Sequence, residues 1–292
     1  MNRTPMNQEA TTLSDQAQLL IKPIEVLIEK NAIDIPMLPE VANKALLLAQ
    51  NPDSDASEMA KLIQSDQSLA GHMMRIANSA AYTPLGNLVS LQQAIARLGM
   101  GVISEIALSA SIGAKFFDTP GFENYVSNIW RHALGSALWA KEIARHCRSN
   151  VEVAFLAGLL HSIGRPAILQ VILDLSNQEQ LKLLEDDVIA LESKYWHQVS
   201  ESVVHSWKMP ILVIEAVSFY ADYNNTTSGG NQAALVNAGA QFSKHMLSPE
   251  TINKDSLFSL PVMTTLNLYQ DELEKILNQS ETITARLNGL SS

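Results

Sequence analysis

The sequence predicts an all-α protein. Apolar residues recur at helical spacing almost throughout, no run of alternating apolar and polar residues lies between hairpin turns, and capping residues precede several of the periodic stretches. A chain of 292 residues has room for two helical modules. The expected organisation is a loose polar tail over 1–16, a module of short helices over 17–120 and a bundle of longer helices over 121–292, divided near residues 117–121.

The elements follow in order. Residues 13–30 place Leu19, Leu20, Ile24, Leu27 and Ile28 on one face. Pro39 suits a first helical turn, and Val41, Ala45, Leu48 and Ala49 continue from it. Asp55 with Glu58 forms a capping box for 59–64, and Asp66 caps a helix through Leu69, Met73, Met74 and Ile76. Asn78 and Ser79 are expected to end that helix and anchor the following loop. Ser90 with Gln93 opens a helix over 91–98, which Gly99 stops. Residues 124–147 read as one long helix, and Asn150 caps another over 151–160 that is apolar nearly all round, the mark of a central buried helix. Helices are further expected at 181–196, 199–207, 211–220, 233–246 and 268–277, with a loop at 224–231.

Composition narrows the function. Twenty Lys and Arg against thirty Asp and Glu give a net charge of −10, which repels phosphate backbones and anionic lipid, so neither nucleic acid nor membrane is an expected partner. The one cysteine, Cys147, excludes an intramolecular disulfide. Residues 1–16 lack an apolar signal segment. The uncharged window 76–96 carries Asn78, Tyr82, Pro84, Asn87 and two glutamines, which hydrocarbon would not accept. A cytoplasmic location is expected.

Among seven histidines, two have unusual surroundings. His161 follows the apolar run 155–160, with Ala157, Gly158, Gly164 and Arg165 on its face; His132 has Gly135 and Ser136 beside it. Small residues around an imidazole either let another helix approach closely or leave a pocket between helices. A second constellation, His197, Glu201 and His205 at four-residue spacing, drifts by about 80° across its length and reads as a solvated helix face. The pair Gly99 and Gly101 lacks the preceding strand and third glycine of a dinucleotide loop.

The run FLAGLLHSIGRPAIL, residues 155–169, resembles the centre of the HD superfamily of metal-dependent phosphohydrolases, and more closely the HDOD output domain of bacterial signalling proteins. Residues 35–82 and 90–99 are similar to that family's N-terminal blocks, Trp130-Arg131-His132-Ala133 matches its first histidine, and Trp207 with Pro210 matches a downstream pair. The resemblance runs from about residue 31 to 277 and implies a multi-helix HD-like bundle.

Departures from the pattern bear on the chemistry. A divalent metal in an HD site needs histidines together with anionic carboxylates. Here the dyad is His161-Ser162, Ala240 stands where the last aspartate would fall, Ser218-Phe219 replaces a frequent histidine pair, and Trp196, with His197 beside it, lies where another histidine would be. The resemblance with these losses implies a bacterial signalling or scaffold module without catalysis and without a cofactor, holding a protein partner or a small anionic ligand in a cleft of Arg131, His132, His161 and Arg165. The alternative is a metal-dependent phosphohydrolase acting on nucleotides or cyclic dinucleotides, with a replacement carboxylate from Glu142, Glu152 or Asp174.

Overall fold

A computed structural model describes residues 13–83, 88–113, 116–226 and 231–291. Among these the regular elements are helices. They are α1 (Asp15–Glu29), α2 (Glu40–Gln50), α3 (Ala56–Gln64), α4 (Gln67–Ala77), α5 (Leu91–Leu98), α6 (Met100–Ser111), α7 (Glu123–His146), α8 (Val151–Leu160), α9 (Gly164–Gln178), α10 (Glu185–Ser206), α11 (Ile211–Ser218), α12 (Gln232–Leu247), α13 (Lys254–Phe258), α14 (Pro261–Thr265), α15 (Gln270–Leu277) and α16 (Ser280–Leu290).

Local chemistry accounts for several helix starts. Asp55 accepts from the backbone of Ser57 and Glu58 while Glu58 reaches back, completing the capping box. Asp66 accepts from Leu69 N–H, and Asn150 accepts from Glu152 and Val153 N–H. Ser90 caps α5 through Gln93 N–H, but the Gln93 side chain takes Val89 N–H instead of closing a full box. Asn78 binds both the carbonyl and the N–H of Leu88, at 2.9 and 2.7 Å, so its amide stands in for a peptide group across the loop.

Several boundaries differ from the sequence reading. Residues 1–12 of the expected tail lie outside the described residues, and its end is helical: Ser14 caps α1, and its N–H and hydroxyl both donate to Asp187 at the start of α10. The helices expected at 181–196 and 199–207 are one, because Val188, Leu191, Tyr195, Val199 and Val203 form an unbroken buried stripe. Helices α6 and α9, buried on most sides, have too little periodicity to stand out in the sequence. Gly99, at φ +84°, serves both as the end of α5 and the start of α6 and turns the chain by 116°. In the expected loop at 224–231, Tyr223–Asn225 forms a single 3₁₀ turn and residues 227–230 lie outside the described set, as do Pro84 and Asn87.

The bundle is built around α7, which packs along α8 and α12; α11 and α12 also cover α8, and α9 packs on α10. In the N-terminal part α2, α3, α4 and α5 surround α6, which reaches α8 and α16. Helix α1 crosses over to pack on α9 and α10. The stretch Val151–Gln178 is long and apolar enough to cross a membrane, yet 83% of its most apolar window is buried inside the protein. It forms the centre of the core.

Candidate functional site

Close helix approach places the two singled-out histidines together. A Cβ at Gly158 of α8 would lie 2.8 Å from the Cα of Ala137 on α7, and one at Gly239 of α12 would lie 2.6 Å from the backbone nitrogen of Ala140. A Cβ at Gly135 would strike the Ser243 hydroxyl, and one at Gly164 the carbonyl of Trp196 on α10. The small residues around the histidines therefore serve backbone-to-backbone packing. The ring centroids of His132 on α7 and His161 at the end of α8 lie 5.9 Å apart.

Each imidazole has a carbonyl partner. His161 is 2% exposed, and its Nδ1 lies 2.7 Å from the carbonyl of Gly158. His132 Nε2 lies 3.2 Å from the carbonyl of Ala240. A carbonyl only accepts, so the proton of each neutral ring is on the nitrogen facing it. Burial pushes the His132 pKa down to about 4, against the opposing pull of the Ala240 hydrogen bond, with Arg165 and Lys244 adding repulsion. Burial and the neighbouring His132 push His161 down to about 3. Both are neutral at pH 7.

The remaining positions of the expected cleft are spread out. Ser162 is buried at 4% exposure, its hydroxyl has no partner among the described residues, and it borders an apolar cavity with Trp130, Ala133 and Pro166. Ala240 contributes its backbone carbonyl. The Arg165 guanidinium donates to both carboxylate oxygens of Glu192, at 2.5 and 3.1 Å, and to the Tyr125 hydroxyl at 2.7 Å. Tyr125 in turn donates to Glu192 at 2.9 Å. Arg131 donates to the Asn288 side chain at 2.9 Å on the exposed side of α7.

The three carboxylates considered as replacement ligands sit elsewhere: Glu142 pairs with Arg145, Glu152 lies beside Gly101 on α6, and Asp174 is exposed on α9. His197 packs edge-on against Trp196 at 5.5 Å and His205 lines a surface groove with Asn31 and Ile33, so these two and Glu201 do not form a ligand cage. Among the described residues no three His, Cys, Asp or Glu side chains are grouped to hold a metal. The donors at the centre are two neutral imidazoles without an anion, a poor match for Mg²⁺ or Mn²⁺.

Besides Tyr125, two more participants escaped the sequence reading. Tyr220, just beyond Ser218-Phe219, packs its ring 4.9 Å from that of His161 and 6.1 Å from that of Trp196. Glu192 is completely buried. Its signal is legible in hindsight: a carboxylate among Val188, Leu191, Tyr195 and Val199 on one helix face demands a cation, here Arg165.

Comparison with known proteins bears on the same residues. The HDOD domain model matches residues 35–223, which include both histidines, Arg165, Glu192 and Tyr220. The chain belongs to the HDOD family. Two crystal structures, of proteins both named as putative, share its fold. One is a metal-dependent phosphohydrolase from Shewanella amazonensis SB2B, with a TM-score of 0.72 at 20% identity over 94% of this chain and 100% of that one. The other is a signal transduction protein from Marinobacter aquaeolei VT8, with a TM-score of 0.66 at 21% identity over 97% of this chain and 68% of that one. An HDOD domain protein of unknown function from Geobacter sulfurreducens has a TM-score of 0.69 at 20% identity, covering 91% and 98% of the two chains. An uncharacterized protein of Treponema pallidum (strain Nichols) is 22% identical over 195 residues, covering 64% of this chain, which spans 37% of that protein's length. At these identities the likeness is one of fold.

Proposed function

We propose that this HDOD protein is a non-catalytic, cytoplasmic signalling module that holds a protein partner or small regulatory ligand and does not hydrolyse one. The observation that carries the reading is the donor set between α7 and α8: His132 and His161 are neutral and bound to carbonyls, and among the described residues no carboxylate joins them. Without an anionic ligand there is little to retain a hard divalent ion or to generate a metal-bound hydroxide. A ligand or partner would meet this face through Arg131 and the half-exposed edge of His132, because His161 is sealed and Arg165 is satisfied by Glu192 and Tyr125.

The test is a hydrolysis panel of nucleotides and cyclic dinucleotides with Mg²⁺, Mn²⁺ or Zn²⁺, run on the purified chain and on His161→Ala. No turnover above the metal-only control is expected. Metal-dependent turnover that disappears in His161→Ala would overturn the proposal.

A further inference from the structure

We infer that the imidazole position where an HD enzyme would hold its metal works in this chain as a clasp between helices α7, α8 and α12. The inference rests on the non-catalytic reading and adds what the histidines do in place of coordination.

Three sets of contacts point the same way. First, His132 Nε2 donates across the seam to the Ala240 carbonyl at 3.2 Å. Second, the His132 carbonyl receives the Ser136 hydroxyl of its own helix at 2.7 Å and the Ser243 hydroxyl of α12 at 3.0 Å. One residue thus fastens α12 through both its ring and its backbone. Third, the glycines allow these short reaches: at Gly239 an added Cβ would come within 2.7 Å of the Ser136 carbonyl, and at Gly158 within 3.0 Å of the Ala137 nitrogen. An alanine at 240 presents only a methyl group, so nothing longer lies between the His132 ring and the α12 backbone. His161 completes the arrangement from α8. Its Nδ1 proton goes to Gly158, and its ring packs against both His132 and Tyr220.

The clasp and a metal site exclude each other at one atom. A metal ligand needs a bare lone pair, whereas His132 Nε2 must carry the proton given to Ala240. Coordination there would require that proton to leave and the seam hydrogen bond to break.

Long-range nitrogen–proton NMR of the full chain labelled in its histidines reads this directly at pH 7. The expected spectrum has the proton of His132 on Nε2 and that of His161 on Nδ1, with neither resonance moved by millimolar Zn²⁺. In Gly239→Ala, which pushes α12 away from α7, the His132 Nε2–H resonance is expected to shift while the His161 Nδ1–H resonance stays, because its bond lies within the α8 end. A His132 proton on Nδ1 overturns the clasp, as does a zinc-induced shift of either ring. The wild-type spectrum decides this even if Gly239→Ala fails to fold. A wrong tautomer without hydrolysis removes only the clasp, whereas hydrolysis removes the non-catalytic reading as well.

Discussion

Two neutral histidines, His161 sealed in the core and His132 half-buried, make a definite demand on acid stability. In the unfolded chain each imidazole takes up a proton near pH 6.5, while in the folded protein His132 holds out to about 4 and His161 to about 3. A depressed folded-state pKa means stability that is fully present above pH 6.5 and is lost as the pH falls toward the folded value. Between pH 7 and pH 5 the unfolded state gains about 0.7 of a proton per histidine that the folded state does not, at a cost of about 2 kcal/mol each and roughly 4 for the pair. Buried Glu105 acts in the opposite direction, since burial raises its carboxyl despite Lys141 at 2.6 Å; the stability it contributes is present at low pH and lost as the pH rises. A difference between two proteins removes that contribution. Urea unfolding of the wild type and of His161→Phe at pH 7 and pH 5 gives the quantity needed. The acid-induced loss should be about 2 kcal/mol smaller in the variant. Equal losses in the two proteins would refute the assignment of His161 as a sealed, neutral imidazole.

Other substitutions follow from the contacts around the site. Glu192→Gln leaves Arg165, whose side chain is 31% exposed, without its counter-charge; the partial exposure tempers the loss to about 2–3 kcal/mol, and a change under about 0.5 kcal/mol in urea unfolding would contradict the triad with Tyr125. Asn150→Ala removes the acceptor for two backbone N–H groups at the start of α8 and should cost about 1 kcal/mol in thermal unfolding, whereas an unchanged melting temperature would argue against the cap.

Helix type and the central element were readable because their signals are local. Asp55, Asp66, Ser90 and Asn150 each cap a helix from within a few residues, and the unbroken apolar run of α8 required burial on every side. Helices α6 and α9 were harder for the same physical reason that α8 was easy: a segment buried nearly all round loses the apolar–polar period that gives its length and ends. The histidine pair was legible as a pair, since glycine and serine at helical spacing marked where backbones touch. The fate of its neighbours was not. Whether Arg165 is free or engaged depends on Glu192, 27 residues further along the chain, and the partner of His132 is a backbone carbonyl, which every residue possesses and no side-chain pattern announces. The Tyr220 contact depends on how α11 ends over α8, again a property of packing.

The central claim is that the place between His132 and His161 holds no metal, and equilibrium metal binding tests it most directly. Calorimetric titration of the chelator-treated chain with Mn²⁺, paired with melting curves in Mn²⁺ and in chelator, should show no saturable one-to-one binding and the same melting temperature in both. Bound metal at about a hundred times its dissociation constant would stabilise the fold by about 2.7 kcal/mol. A stoichiometric isotherm with a raised melting temperature, both abolished in His161→Ala, would contradict the account.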